Sequence, residues 1–171
     1  SISNIVNYFK SKSRKVNYET VVNYIQYIEN TFLVHKVERY NIKGKETISG
    51  ISKYYINDLS FKNYLYSGFG FGIGYLLENA VFLQLRQSGY EVFVGTLRNG
   101  EIDFVAKKSD RIIYFQVTYL LTDEQTYNRE YGAFNPIKDN YEKYVVSLDE
   151  VQFPSNEGIN HIQAWELGEL L

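Results

Sequence analysis

The chain has 171 residues, of which 44% are apolar and 17% aromatic; this is enough for a folded core and excludes an intrinsically disordered protein. The absence of cysteine excludes disulfides, thiol catalysis and cysteine-based zinc sites. No apolar run approaches the roughly 20 residues of a membrane helix, so we expect a cytoplasmic protein without membrane association. Because methionine is absent too, we expect the chain to be part of a longer protein.

The net charge of -2 conceals an asymmetry between the two ends of the chain. Residues 1–65 hold ten Lys or Arg against five Asp or Glu, a net charge of +5; residues 66–171 hold eight against fifteen, a net charge of -7. Opposite charges predict two modules with different partners. A basic first module suits contact with nucleic acid, and a solvated basic face is the plainer alternative.

The first module, residues 1–65, has the pattern of two helices followed by a β-hairpin. Apolar residues recur at helical spacing in "SISNIVNYFKS" and again from Asn17 onward, where Asn17 is placed to cap the second helix. The segments "VHKVERY" and "TISGISKYYIND" are typical of strands, with Gly44 in the turn between them. This order predicts a winged helix-turn-helix.

Basic residues cluster at the two places where a winged helix meets the DNA backbone, the turn between the helices and the wing. We expect them to contact phosphate. The predicted second helix has no Arg or Lys suited to guanine, so docking of a protein is an equal alternative for this module. The expected nucleic-acid-binding residues are Lys12, Arg14, Lys15, Arg39, Lys43 and Lys45.

A glycine-rich segment, residues 66–74, separates the two modules. Its glycines alternate at positions 68, 70, 72 and 74, which does not match the G-x-G-x-x-G spacing of a dinucleotide-binding turn. We interpret it as a flexible linker.

The second module, residues 75–171, predicts a mixed sheet covered by helices. A helix over 75–88 ends at Gly89, and three strands follow in "YEVFVGT", "EIDFVAK" and "IIYFQVTYL". A polar helix in 122–134, a strand "KYVVSL" and a final strand that leads into a helix complete the order αβββαβ. The fold class predicted for the whole chain is therefore α+β.

Two adjacent strands of this module carry polar side chains that favour a metal site. Glu101 and Asp103 share one face of their strand, and Gln116 and Thr118 share one face of the next. A short turn joins the strands, so Asp103 and Gln116 can approach one another, with Glu78 supplied by the preceding helix. Carboxylate and amide oxygens are the ligands that Mg²⁺ prefers, and Mg²⁺ is the cofactor expected here.

The segments "GEIDF" and "FQVTY", with Glu78 before them, resemble the PD-(D/E)XK nuclease superfamily, the fold of many restriction enzymes. The resemblance implies a restriction-endonuclease-like fold with metal ligands Glu78, Asp103 and Gln116. It also implies a lysine at position 118, which would stabilise charge developing on phosphate. Thr118 stands there instead, and its uncharged side chain cannot replace the ammonium.

A second resemblance covers nearly the whole chain. The motifs "KYYINDLSFKN", "GYLLENAVFLQLRQSGYEVFVG", "YFQVTYLL" and "KDNYEKYVVSLDE" are similar to the C-terminal domain of unknown function that many prokaryotic AAA-type ATPases carry. This implies a preceding ATPase module, which would bind ATP and be a partner within the same chain. No G-x-x-x-x-G-K-[ST] pattern occurs in these 171 residues, so ATP hydrolysis is not expected of them.

Three hypotheses follow. The leading one is an accessory region of an ATPase, in which a degenerate nuclease-like fold and a winged helix bind nucleic acid or a protein partner. The alternatives are an active Mg²⁺-dependent DNA nuclease with a basic residue from elsewhere in the chain, and a module for protein docking or oligomerisation of the ATPase. The basic residues considered for the second hypothesis are Lys107, Arg129, Lys138 and Lys143.

Overall fold

The structure, a computed structural model, describes residues 2–65 and 72–171. The helices in these ranges are α1 (Ile2–Ser11), α2 (Tyr18–Asn30), α3 (Ser60–Leu65), α4 (Ile73–Gln87), α5 (Glu124–Gly132) and α6 (Leu167–Leu170). The strands are β1 (Val34–Asn41), β2 (Glu46–Ile56), β3 (Glu91–Leu97), β4 (Gly100–Lys108), β5 (Arg111–Val117), β6 (Glu142–Ser147) and β7 (Ile159–Gln163).

The strands form one seven-stranded sheet in the order β2-β1-β3-β4-β5-β6-β7. β1 pairs with β3 in parallel, as do β5 with β6 and β6 with β7, while the remaining neighbours are antiparallel. The sheet is therefore mixed, and the predicted α+β class is confirmed. None of the helices in the described ranges has the length and apolar content needed to span a bilayer.

Each face of the sheet has its own apolar core. On one face, Leu77, Phe82 and Leu85 of α4 and Leu167 of α6 pack against strand residues such as Phe104 and Phe115. On the other, Tyr131 of α5, with Phe134 and Ile137 after it, packs against Ile102, Val105 and Tyr114. The two cores hold the central strands β3, β4 and β5 between helical layers, so polar groups at the ends of these strands are fixed in position.

Local signals explain where several helices begin and end. Asn17 caps α2 as predicted, because its side chain accepts a hydrogen bond of 2.7 Å from the Thr20 N–H. α4 ends before Gly89, which adopts the left-handed φ of 84° that favours glycine. α4 begins at Ile73, within the predicted linker, whose residues 66–71 lie outside the described part of the chain. The short helix α3 was not predicted.

The predicted wing hairpin, β1 and β2, is part of the main sheet. Residues 39–41 of β1 pair in parallel with 94–96 of β3, and the Tyr40 ring packs against the Phe93 ring with centroids 5.7 Å apart. Tyr40 and Ile42 are buried in the core beneath α5. β1 therefore belongs to the same sheet as the strands of the second module, and its apolar side chains complete one of the cores of that sheet.

Gly95 permits the close packing of this junction. A Cβ atom added there would lie 2.9 Å from both Ile42 Cδ1 and Ile102 Cβ. We therefore expect Gly95→Ala to lower the free energy of unfolding by about 1–3 kcal/mol through overpacking, as measured by urea denaturation. Gly74→Ala is the matched control, because no atom lies within 4 Å of an added Cβ there. Equal stability of the two variants would contradict the packing argument.

Candidate functional site

A β-bulge places Asp103 at the point where β4 separates from β5. Phe93 pairs with Val105 and Gly95 with Ile102, so two residues of β4, Asp103 and Phe104, face a single residue of β3. Bulges of this kind redirect side chains and interrupt strand pairing. The ladder between β4 and β5 ends at the pair Phe104 and Phe115, one residue from Asp103.

Beyond the end of this ladder, side chains replace the backbone hydrogen bonds. The Asp103 N–H donates to Gln116 Oε1 at 3.3 Å, and the Val117 N–H donates to Asp103 Oδ2 at 2.8 Å. The predicted approach of Asp103 and Gln116 is therefore confirmed. One oxygen of each side chain is occupied by a backbone donor.

Glu78 joins these residues from α4. Its Oε1 accepts a hydrogen bond of 2.6 Å from the Tyr55 hydroxyl of β2, and its side chain is 16% exposed. Burial and the neighbouring charge of Glu78 raise the pKa of Tyr55, so the phenol remains a proton donor. α4 is thus tied to β2 through the carboxylate predicted to bind metal.

The centre of the site is occupied by Lys53 of β2, which sequence reasoning did not identify. Its Nζ lies 2.7 Å from Glu101 Oε1, 3.3 Å from Glu78 Oε1 and 4.0 Å from Asp103 Oδ1. Burial alone would lower the pKa of Lys53, but the bond to Glu101 and the charges of the other two carboxylates outweigh it and raise the pKa. A charged ammonium therefore lies among three carboxylates. We call Glu78, Glu101, Asp103, Lys53 and Arg39 the charge cluster.

Arg39 is held by hydrogen-bond partners within the chain. Its Nη1 donates to Glu101 Oε2 at 2.6 Å, and its Nε donates to the Ile51 carbonyl at 3.0 Å. Burial opposes ionisation of Glu101, but the hydrogen bonds from Lys53 and Arg39 prevail and lower its pKa. Arg39, which was predicted to contact phosphate from the wing, thus has its guanidinium against a partly exposed carboxylate of the same chain.

Asp103 has an unusual ionisation. Burial, followed by the negative charge of Glu78, raises its pKa to about 7, although the Val117 N–H and Lys53 oppose this increase. Asp103 is therefore partly protonated near neutral pH. With all groups ionised the cluster has three negative and two positive charges; one proton on Asp103 balances them.

Thr118 occupies the position of the expected lysine and is buried, with its N–H donating to the Val146 carbonyl. Three of the basic residues considered as substitutes have other partners. Lys107 lies over the Tyr40 ring at 4.3 Å, and Lys143 donates to the Asp139 carbonyl at 2.8 Å. Arg129 pairs with Glu130 at 2.6 Å. Lys138 is exposed.

The remaining predicted basic residues lie outside the charge cluster. Lys12, Arg14 and Lys15 are exposed in the turn between α1 and α2. Lys43 is exposed in the hairpin turn, and Lys45 lies 5.6 Å from the Tyr141 ring centroid. These side chains can reach an external partner, in contrast to Arg39.

The charge cluster in its present arrangement does not form a metal cage. Within residues 2–65 and 72–171, no group of three or more His, Cys, Asp or Glu residues is arranged to hold an ion. Gln116 Oε1 and Asp103 Oδ2 accept backbone hydrogen bonds, and Glu78 Oε1 is shared by Tyr55 and Lys53. The predicted Mg²⁺ ligands are thus adjacent, but their described contacts are internal.

A second buried polar group links β6 and β7 and resembles a catalytic triad in composition only. Ser147 Oγ lies 2.8 Å from His161 Nε2 and donates to Asp149 Oδ2 at 2.7 Å, and all three residues are buried. His161 Nδ1 accepts from the Phe153 N–H, so its hydrogen-bonding capacity is used, and burial lowers its pKa. We interpret this group as structural.

Lys53 could have been found from strand periodicity. It shares a face of β2 with Tyr55, two residues later, whose ring stacks on Phe82 with centroids 4.5 Å apart. A lysine on the core-facing side of a strand is rarely buried unless it is paired. The sequence signal is therefore a lysine at a core-facing position of β2. It was overlooked because β2 belongs to the first module, whereas the metal site was predicted in the second.

No protein-family model and no solved structure matches the chain. Over 160 residues it is 34% identical to an uncharacterised protein of Haemophilus influenzae, an alignment that covers 94% of the chain and 39% of that protein. Over 144 residues it is 34% identical to an uncharacterised protein of Methanocaldococcus jannaschii, covering 81% of the chain and 31% of that protein. The chain thus spans well under half the length of either relative.

Proposed function

We propose that this chain is a nuclease-like accessory region of a longer, ATPase-containing protein, and that it binds nucleic acid without cutting it. The observation that carries the proposal is the position of Lys53. A nuclease of this type needs a divalent cation between its acidic residues. Here an ammonium with three carboxylate oxygens at 2.7, 3.3 and 4.0 Å occupies the corresponding space.

The electrostatics of the charge cluster support this proposal. Below about pH 7, two cations and one proton on Asp103 balance the three carboxylates of the cluster, so little net charge remains to attract Mg²⁺. The amide of Gln116, in place of an acid, further weakens binding of a hard divalent cation. Under the proposal, the cluster holds β2, β4 and α4 together.

Contact with nucleic acid is supported by the exposed turn between α1 and α2. Lys12, Arg14 and Lys15 are exposed there, and Tyr24 nearby on α2 is 60% exposed. Lysine and arginine side chains attract the phosphate groups of nucleic acid, and an exposed aromatic ring can stack on a base. We expect affinity for DNA to fall as salt rises and to fall when all three cations become alanine. A salt-independent affinity would instead indicate a protein partner.

A second candidate function is favoured by the same lysine. In an active nuclease, a lysine from another strand could supply the positive charge missing at Thr118, and Lys53 is 4.0 Å from Asp103 Oδ1. Under this alternative, the ion pairs with Glu78 and Glu101 would rearrange when a metal binds. Lys53 would then stabilise charge on the scissile phosphate.

Cleavage assays separate the two functions. Labelled single-stranded, duplex and branched DNA would be incubated with the wild-type chain, Lys53→Met and Asp103→Asn in Mg²⁺ or Mn²⁺. The proposal expects DNA binding without cleavage by any of the three proteins. Cleavage by the wild type that falls by 100-fold or more in both variants would establish the nuclease, since one charged group at a reacting centre typically contributes about 100- to 1,000-fold.

A matched variant, Lys36→Met, controls for the loss of a lysine from the neighbouring strand, because Lys36 is exposed on β1. Cleavage that persists in Asp103→Asn would indicate a contaminating nuclease.

A further inference from the structure

An open pocket of about 660 Å³ lies beside the charge cluster, between β2, α3 and the start of α4. Pockets of 300–1,000 Å³ with largely apolar walls and a few polar groups are typical ligand sites. Three aromatic side chains in its walls remain accessible, with exposed fractions of 39% for Tyr54, 43% for Phe61 and 72% for Tyr75. Such walls suit a flat, unsaturated ring.

The polar groups of the pocket include one cation that also belongs to the charge cluster. The charged residues among the described lining are Lys53, Lys62 and Glu78, and Lys62 already has an interaction within the chain. The lining residue Asn79 is satisfied, since its amide donates to the Ile56 carbonyl and accepts from the Ile56 N–H. The polar contact with a ligand therefore falls to Lys53 and not to this amide.

Lys53 connects the pocket with the charge cluster. Its side chain is 30% exposed, and its ammonium has three donors. Two carboxylates, Glu101 and Glu78, lie within 3.3 Å of Nζ, while Asp103 is at 4.0 Å. One donor is thus available to a ligand anion at the inner end of the pocket.

We propose that this pocket binds one unpaired nucleotide, with its base against the aromatic walls and its phosphate near Lys53. This rests on the proposed function and specifies the substrate class as nucleic acid with a single-stranded end. A paired base is stacked inside a duplex and cannot enter the pocket, whereas an unpaired base can stack on tyrosine or phenylalanine. The same chemistry is offered by a free mononucleotide.

The test compares four labelled or soluble probes by anisotropy or calorimetry: a single strand, a duplex with a single-stranded overhang, a blunt duplex and a mononucleotide. We expect the first two to bind at least five-fold more tightly than the blunt duplex. Tyr75→Ala should weaken their binding about 5- to 150-fold, because one base stacked on an aromatic ring contributes about 1–3 kcal/mol. Binding of the blunt duplex through the basic turn should be unchanged.

Tyr8→Ala is the matched control, because Tyr8 of α1 is 61% exposed and does not line the pocket. Equal affinity for blunt and overhanging DNA, unaffected by Tyr75→Ala, would overturn the inference while leaving DNA binding intact. Absence of binding to every DNA probe would overturn the proposed function as well. If only the mononucleotide bound, and Tyr75→Ala abolished that binding, the pocket would be a nucleotide site whose ligand is a free nucleotide and not a DNA end.

Discussion

Lys53→Met is expected to lower the free energy of unfolding by about 2–4 kcal/mol at pH 8, since removal of the shared cation from a partly buried group of ion pairs leaves the carboxylates uncompensated. The substitution leaves Glu78, Glu101 and Asp103 with Arg39 as the only positive group of the charge cluster. Methionine keeps most of the apolar stem of the lysine side chain, so the loss of stability arises mainly from the missing positive charge. Urea denaturation measures it.

Added Mn²⁺ or Mg²⁺ should restore part of this loss, because a divalent cation can take the place of the ammonium among the carboxylates. A concentration ten-fold above the dissociation constant would contribute about 1.4 kcal/mol, or roughly 3–6 °C in Tm. The wild type and Lys36→Met should show little shift. A wild-type shift as large as that of Lys53→Met would show that the lysine does not exclude the metal, in agreement with the active-nuclease alternative.

Asp103→Asn is expected to make the chain more stable than the wild type at pH 8, by up to about 4 kcal/mol. The pKa of Asp103 is raised from 3.8 to about 7 in the folded state, so the folded protein retains a proton that the unfolded chain releases. The stability linked to this proton is complete below pH 3.8 and is lost as the pH rises through 7. Asparagine has no such titration, and its side-chain oxygen can still accept from the Val117 N–H.

The measurement is the difference in stability between the two proteins from pH 4 to pH 8. His161 contributes with the opposite sign, because its lowered pKa makes stability fall as the pH drops below about 6.5, but this contribution is common to both proteins and cancels. Asp110→Asn, in the exposed turn between β4 and β5, is the matched control. A pH-independent difference for Asp103→Asn would show that this carboxyl group titrates normally.

Most elements of the fold could be predicted because they have strong local signals. Periodic apolar residues and caps such as Asn17 and Gly89 placed α2 and the end of α4, and β-branched runs placed the strands. The membership of β1 in the main sheet could not be predicted in this way. It depends on pairing between Tyr40 and Gly95, far apart in the chain, and local pattern carries no information about such partners.

The candidate site could be predicted only where its residues are close together in the sequence. Asp103 and Gln116 are joined by one short turn, so alternation along their strands sufficed to bring them together. Lys53 belongs to a strand on the other side of the glycine-rich segment, and its position depends on the whole sheet order. The change in charge composition at that segment divides the chain into two modules, so the sequence favours a replacement cation from the second module and not from β2.

The parallel pairing of β1 with β3 limits how the two halves of this chain can evolve. The acids Glu78, Glu101 and Asp103 and the cations Arg39 and Lys53 come from opposite sides of the segment at which composition changes. If either half were exchanged for that of an unrelated protein, β3 would lose its neighbour and the buried carboxylates would lose their counter-ions. The two halves are therefore expected to be transmitted and to diverge as a single unit.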